Sequence, residues 1–143
     1  MRTIKPIVVD SSVAVKWLNT QDERYTDQAD KILYDVQEEK AYIMMPELAK
    51  YEVGNAIINK QMSLQNTLGS LATYYSIPIQ FVPQDLHQAQ IAANIAFENK
   101  VTFYDATFMA LAKEKKANLV TDNPKHQKRK IKGLKVTSLK EYH

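Results

Sequence analysis

The sequence contains no cysteine, three glycines and three histidines. Each scarcity removes a class of chemistry. Without cysteine there is no thiol nucleophile, no redox pair and no Cys-ligated zinc site. Gly54, Gly69 and Gly133 are too scattered to write a phosphate-binding loop or a dinucleotide fingerprint. His87, His126 and His143 form no H-E-x-x-H, and no G-x-S-x-G accompanies them. No apolar run approaches the roughly 18–20 residues that cross a bilayer. Residues 1–6 hold no signal-peptide core. A cytoplasmic protein away from membranes is expected, and its reactive groups, if it is an enzyme, are carboxylates.

What is present is an ordinary globular balance, with 45 % hydrophobic and 24 % charged residues over 143 positions. This predicts a single domain over residues 1–143. The net charge of +3 is unevenly placed: residues 124–140 hold seven bases and no acid, and the remainder carries 12 bases against 16 acids. A basic segment on an acidic body suits a polyanion partner, or is plain solvated surface.

Pro6-Ile7-Val8-Val9 is a short, continuously apolar run rich in β-branched residues, which predicts a strand buried on both faces. A short helix capped by Asp10, Ser11 or Ser12 runs on to Leu18. Apolar spacing predicts a helix over 22–39, with Ala29, Ile32, Leu33 and Val36 on one stripe. A second strand follows at 42–45, then a helix from Pro46 to about Lys60, a helix over 64–76 and a third strand over 79–82. Helices over 85–99 and 104–116 precede a fourth strand at 118–121, and 134–136 offers a fifth. Alternating strands and helices predict an α/β three-layer sandwich, with a mostly parallel four- or five-stranded central sheet flanked by helices. Ligands of such sheets gather at the carboxyl ends of the strands.

Four acids stand out. Asp10 and Asp122 each end a predicted strand, where a helix cap or turn residue would also suffice. Glu52 lies on a helix stripe with Leu48 and Ala56, and a carboxylate half-buried there needs a partner. Asp105 has Phe108, Met109 and Ala112 at three, four and seven residues on, although Thr102-Phe103-Tyr104-Asp105 also fits a capping box. Converging carboxylates repel unless a cation sits between them. Oxygen ligands without His or Cys select Mg²⁺ or Mn²⁺, and such ions serve phosphoryl chemistry.

Several segments together resemble a known family. Val9-Asp10-Ser11-Ser12-Val13-Ala14-Val15-Lys16-Trp17-Leu18 is similar to the opening of PIN-domain proteins of the VapC toxin type. Pro46-Glu47-Leu48 through Tyr51-Glu52-Val53-Gly54-Asn55-Ala56 resembles the second segment, and Tyr104 to Ala112 the third. Leu119-Val120-Thr121-Asp122 resembles the fourth, and Val136 to Leu139 the last strand. The resemblance implies a metal-dependent endoribonuclease and carries catalytic roles to Asp10, Glu52 and Asp105. Asp10 and Asp105 would hold the principal ion, and Glu52 a water on it or a second ion. It also implies a homodimer and, for a toxin, an antitoxin partner. One departure concerns the fourth acid. The family pattern has one residue between the strand-ending Thr and that acid, whereas Asp122 follows Thr121 at once and Asn123 takes the expected place. Asp122 is expected to serve as the fourth catalytic acid, orienting water or metal from the far side; the alternatives are that Asn123 supplies an oxygen or that three carboxylates suffice. Lys128, Arg129 and Lys130 in the basic segment would hold the RNA backbone. Lys16 could assist at the site, and is read chiefly as a solvated helix residue. The rivals are a PIN domain that binds RNA or a protein without cutting, and an unrelated phospho-acceptor module. The latter wants paired acids after the first strand, where Asp10-Ser11-Ser12 offers one.

Overall fold

In a computed structural model of the chain, residues 3–123, 125 and 130–143 are described. Five strands, β1 (Lys5–Val9), β2 (Ala41–Pro46), β3 (Ile79–Val82), β4 (Asn118–Thr121) and β5 (Lys135–Ser138), form one sheet in the order β3-β2-β1-β4-β5. Every pairing is parallel. The helices among the described residues are α1 (Ser11–Ala14), α2 (Thr26–Gln37), α3 (Leu48–Ile58), α4 (Leu64–Ser76), α5 (Leu86–Asn99) and α6 (Phe103–Lys115). Short 3₁₀ turns occupy Val15–Trp17 and Leu139–Glu141.

The apolar run of β1 puts it at the centre of the sheet, where Ile7, Val8 and Val9 are buried. Such a strand needs helices against it, because a parallel sheet buries both faces. α6 packs on β1, β2 and β4 as well as on α5, and every residue from Ala106 to Ala112 is buried. The chain moves from β1 to β2 and β3 on one side, then crosses to β4 and β5 on the other. The strand order therefore reverses between β1 and β4, and the crevice at their carboxyl ends is the topological switch point where ligands of such sheets bind.

Two local expectations fail. The helix expected over 22–39 starts only at Thr26, because Asp22 (φ 60°) and Tyr25 (φ 58°) adopt left-handed backbone that no helix accommodates. Pro46 is the last residue of β2 rather than the first turn of a helix, and α3 begins at Leu48. Pairing with β3 carries on past the proline, where the Glu47 N–H donates to the Val82 carbonyl at 3.1 Å.

Candidate active site

Asp10 follows β1 directly, and its backbone N–H extends the ladder by donating to Val120 O at 3.0 Å. Val9 is the register partner of Val120, so Asp10 and Thr121 are the next pair across the switch point. The Thr121 hydroxyl donates to Asp10 Oδ2 at 2.7 Å, and both residues are buried. Asp10 occupies the N-cap position of α1, yet its side chain makes no capping bond. The carboxylate is turned across the sheet instead of back along the helix. Thr121 Oγ1 also accepts the Asn123 N–H at 3.0 Å, which ties the loop after β4 to the same carboxylate.

Glu52 arrives from α3, which packs against α1. Ala49, Val53 and Ile57 form the buried stripe of α3, and Glu52 stands beside it, half-buried. The Ser11 hydroxyl donates to Glu52 Oε1 at 3.0 Å. One residue after Asp10 therefore fixes the orientation of the second carboxylate.

Asp105 lies in the first turn of α6, half-buried. Its backbone N–H donates to the capping Thr102 Oγ1 at 3.0 Å, which is half of the expected capping box. α6 ends two residues before β4 begins and lies along the sheet. Its 13 residues span about 20 Å, so its first turn stands at the carboxyl edge, the edge that carries Asp10. A small cavity of about 150 Å³ opens beside it, lined by Pro46, Glu47, Gln84, Phe103, Tyr104 and Thr107. Phe103 and Tyr104 there are exposed.

The fourth acid is differently engaged. Lys16 Nζ stands 3.1 Å from Asp122 Oδ2 and 2.9 Å from Glu23 Oε1. Lys16 is not the solvated residue expected from the sequence. Its side chain is only 2 % exposed, because the 3₁₀ turn after α1 directs it inward between two carboxylates. Lys60 closes the network on Glu23 Oε2 at 2.6 Å. Burial works to raise the Glu23 pKa, but the Lys60 and Lys16 ammonium groups outweigh it and hold the carboxyl below its ordinary range. The Asp122 N–H donates to Ser12 Oγ at 3.3 Å. Asn123 Oδ1 accepts the backbone N–H of Lys125 at 3.0 Å, the side chain closing a turn on its own backbone.

The donor set is all oxygen, as Mg²⁺ or Mn²⁺ requires. Among the described residues no group of three or more acidic or histidine side chains is close enough to hold a metal ion. The residues thus fit an ion held by one or two carboxylates and completed by water, which is how Mg²⁺ is commonly bound. They do not form a four-acid cage. Lys128 and Arg129 lie outside the described residues. Lys130 is exposed and lines a cavity with Lys113 and Lys132, beyond the far end of α6.

Sequence reasoning missed Thr121 and Ser11, and set an assisting role for Lys16 behind that of a solvated residue. Two apolar strands that end together in Val9-Asp10 and Val120-Thr121 carried the signal for the first. For Lys16, one partner, Glu23, lies seven residues on, but the other, Asp122, lies far along the chain.

The family model for the PIN domain matches residues 7–132. The curated proteins yield no significant match. Several solved structures share the fold. A chain of VapBC2 from Rickettsia felis, bound to a DNA fragment from its promoter, superposes with a TM-score of 0.72 at 14 % identity, covering 93 % of this chain and 98 % of that one. VapC20 from Mycobacterium tuberculosis, a toxin that cleaves the sarcin–ricin loop, gives 0.61 at 17 % identity over 79 % and 86 %. A chain of a toxin–antitoxin complex from Klebsiella pneumoniae gives 0.62 at 18 % identity over 90 % and 94 %.

Proposed function

Since the chain belongs to the PIN-domain family, we propose that it is a metal-dependent endoribonuclease cleaving RNA phosphodiester bonds, acting in the cytoplasm as the toxin of a toxin–antitoxin pair. The observation that carries this reading is the buried Asp10 carboxylate at the switch point, aimed across the sheet by Thr121 rather than used as a helix cap. A site where two strands diverge, edged by oriented carboxylates, suits a ligand that brings phosphate oxygens and a hard cation.

Asp10 and Asp105 are the residues that would hold Mg²⁺ or Mn²⁺, with Glu52 the third carboxylate of the set. When bound, such an ion lowers the pKa of the attacking water and offsets the charge that builds on the phosphate. Thr121 restrains Asp10 through its hydroxyl, and Ser11 restrains Glu52, so neither carboxylate has to be ordered when substrate arrives. Exposed Phe103 and Tyr104, beside Asp105, offer ring faces on which unpaired bases stack. Exposed Tyr51, Ile58, Leu64 and Leu68 on α3 and α4 give an antitoxin, or the second copy of a homodimer, apolar surface to cover. The toxin–antitoxin context of the structures that share the fold supports the same reading.

The test is cleavage of a mixed-sequence RNA by protein stripped with chelator, with Mg²⁺ or Mn²⁺ then restored. Cleavage should depend on the added ion and vanish in Asp10→Asn, while the variant keeps its fold because an amide oxygen still accepts the Thr121 hydroxyl. Undiminished cleavage in chelator, or by Asp10→Asn, would refute the reading. A second reading, a PIN domain that binds RNA or a protein without cutting, is favoured by the capture of one Asp122 oxygen by Lys16. It predicts RNA or partner binding with no cleavage under any metal.

A further inference from the structure

The amino-terminal edge of the sheet, opposite the carboxylates, opens into a cavity of about 770 Å³. Lysines reach it from separate parts of the chain. Lys5 begins β1, Lys40 precedes β2, Lys116 links α6 to β4, and Lys135 begins β5. Lys31 of α2 is the fifth. The acids in the lining are Asp35 and Glu141. Asp35 is buried and already engaged, accepting hydrogen bonds from Lys31 and, at 2.6 Å, from the Tyr142 hydroxyl. With the Lys31–Asp35 pair set aside, the cleft gathers four ammonium groups, those of Lys5, Lys40, Lys116 and Lys135, against Glu141. A concave surface lined by one sign of charge focuses its field and draws counter-ions of the other sign.

We propose that this cleft binds the phosphate backbone of a nucleic acid, at a place separate from the candidate active site. Three features favour a polymer over a small anion. The positive charge continues past the cleft: Lys113, Lys130 and Lys132, against the one acid Glu98, line the neighbouring cavity, next to the segment that leads through Gly133 to Lys135. The cations are all lysines, which hold a phosphate as point charges and lack the forked geometry of a guanidinium that reads one group specifically. The polar groups between them pair with each other, since the Thr137 hydroxyl donates to Asn118 Oδ1 at 2.9 Å. The separation follows from β1, whose length from Lys5 to Asp10 is about 17 Å at ~3.3 Å per residue. Lys130, Lys132 and Lys135 therefore sit on the edge away from the carboxylates, and they hold nucleic acid there rather than over the reacting bond. This inference does not rest on cleavage.

The experiment measures binding by the full chain in chelator, so that cleavage plays no part. A fluorescein-labelled 20-nucleotide RNA of mixed sequence is titrated by anisotropy at several salt concentrations. The cleft variant combines Lys5→Gln, Lys116→Gln and Lys135→Gln, all at exposed positions. The control removes equal charge elsewhere with Arg24→Gln, Lys50→Gln and Lys100→Gln. At about 0.7 units of log–log salt slope per phosphate contact to a single strand, the cleft variant should lose about two units of slope and at least tenfold in affinity. The control should change affinity by less than threefold. A matched DNA strand as tight as the RNA supports a backbone site indifferent to the sugar, and a tighter RNA supports an RNA site. Equal losses in the two variants, or none in either, would overturn the proposal. So would poly-glutamate binding as tightly as RNA with the same sensitivity to the cleft variant, since the occupant would then be an acidic peptide.

Discussion

Lys16 is the residue whose replacement tests the candidate site most directly. Its ammonium group lies 2.9 Å from Glu23 and 3.1 Å from Asp122, with 2 % of its side chain exposed. Lys16→Met keeps the length of the aliphatic stem and removes the charge. At an effective dielectric of about 20, each contact at this distance is worth roughly 5 kcal/mol of direct attraction. Most of that offsets desolvation of the buried groups. Losing one partner of a buried pair costs about 3–5 kcal/mol when the other is left without compensation. Here Glu23 keeps Lys60 at 2.6 Å, and the Asp122 side chain is 15 % exposed, so water compensates it in part. The expected loss is about 2–3 kcal/mol. Lys60→Met should cost only about 1 kcal/mol, because Glu23 then keeps Lys16.

The assay is urea unfolding in chelator at neutral pH, fitted with the slope left free, so that a change in compactness shows separately from a change in stability. The pairing itself is read from a cycle with Asp122→Asn. If Lys16 stabilises chiefly by neutralising Asp122, the double variant should be less destabilised than the two single losses combined, by at least about 1 kcal/mol. Salt at 0.5 M should leave this difference largely intact, because buried pairs are poorly screened. A Lys16→Met loss below about 0.5 kcal/mol, or an additive cycle, would refute the account of Lys16 as the internal counter-ion of Asp122.

Three further outcomes follow from the same geometry. Thr121→Val removes the donor to Asp10 and the acceptor of the Asn123 N–H, so it should cost about 1–3 kcal/mol in chemical unfolding and slow metal-dependent cleavage, whereas Thr121→Ser should preserve both. Asp122→Asn should lower stability while holding cleavage within about threefold, as fits a counter-ion; a tenfold loss of rate with unchanged stability would make Asp122 a working ligand instead. The carboxyls of Glu23 and Asp35 both lie below their ordinary values of 4.5 and 3.8: burial opposes this in each, and it is outweighed by Lys60 and Lys16 for Glu23 and by Lys31 and Tyr142 for Asp35. Their contribution is therefore present above those values and is lost as pH falls through the lower folded-state ones, so unfolding titrations should lose stability progressively below about pH 4.5, and Tyr142→Phe should remove about 1–2 kcal/mol of the neutral-pH stability.

Most of the architecture was legible because its signals are local. The β-branched run of β1, the cap-and-stripe pattern of α6, and Asn118–Thr121 each declare their element within a few residues. The failures were local as well, and they share a cause. A helix over 22–39 matches the apolar spacing of its second half, but Asp22 and Tyr25 take left-handed backbone that spacing does not encode. Pro46 is acceptable both at a helix start and at a strand end, and pairing with β3 decides the matter. That pairing joins residues more than 30 positions apart and leaves no mark on the sequence around Pro46.

The site was less legible, because carboxylates are given their roles by what they face. Asp10 and Asp122 look alike in sequence, each an acid after an apolar strand in a position that invites capping. The structure separates them by their partners. A hydroxyl from the adjacent strand donates to Asp10, whereas an ammonium group lies 3.1 Å from Asp122. The ammonium group beside Asp122 opposes a dication at that carboxylate. The displaced position of the fourth acid and the burial of Lys16 are then one feature. An acid directly after Thr121 lies within reach of the inward-turned lysine, and a lysine this deeply buried needs the acid. Only an ion pair joining residues 106 positions apart makes that dependence visible.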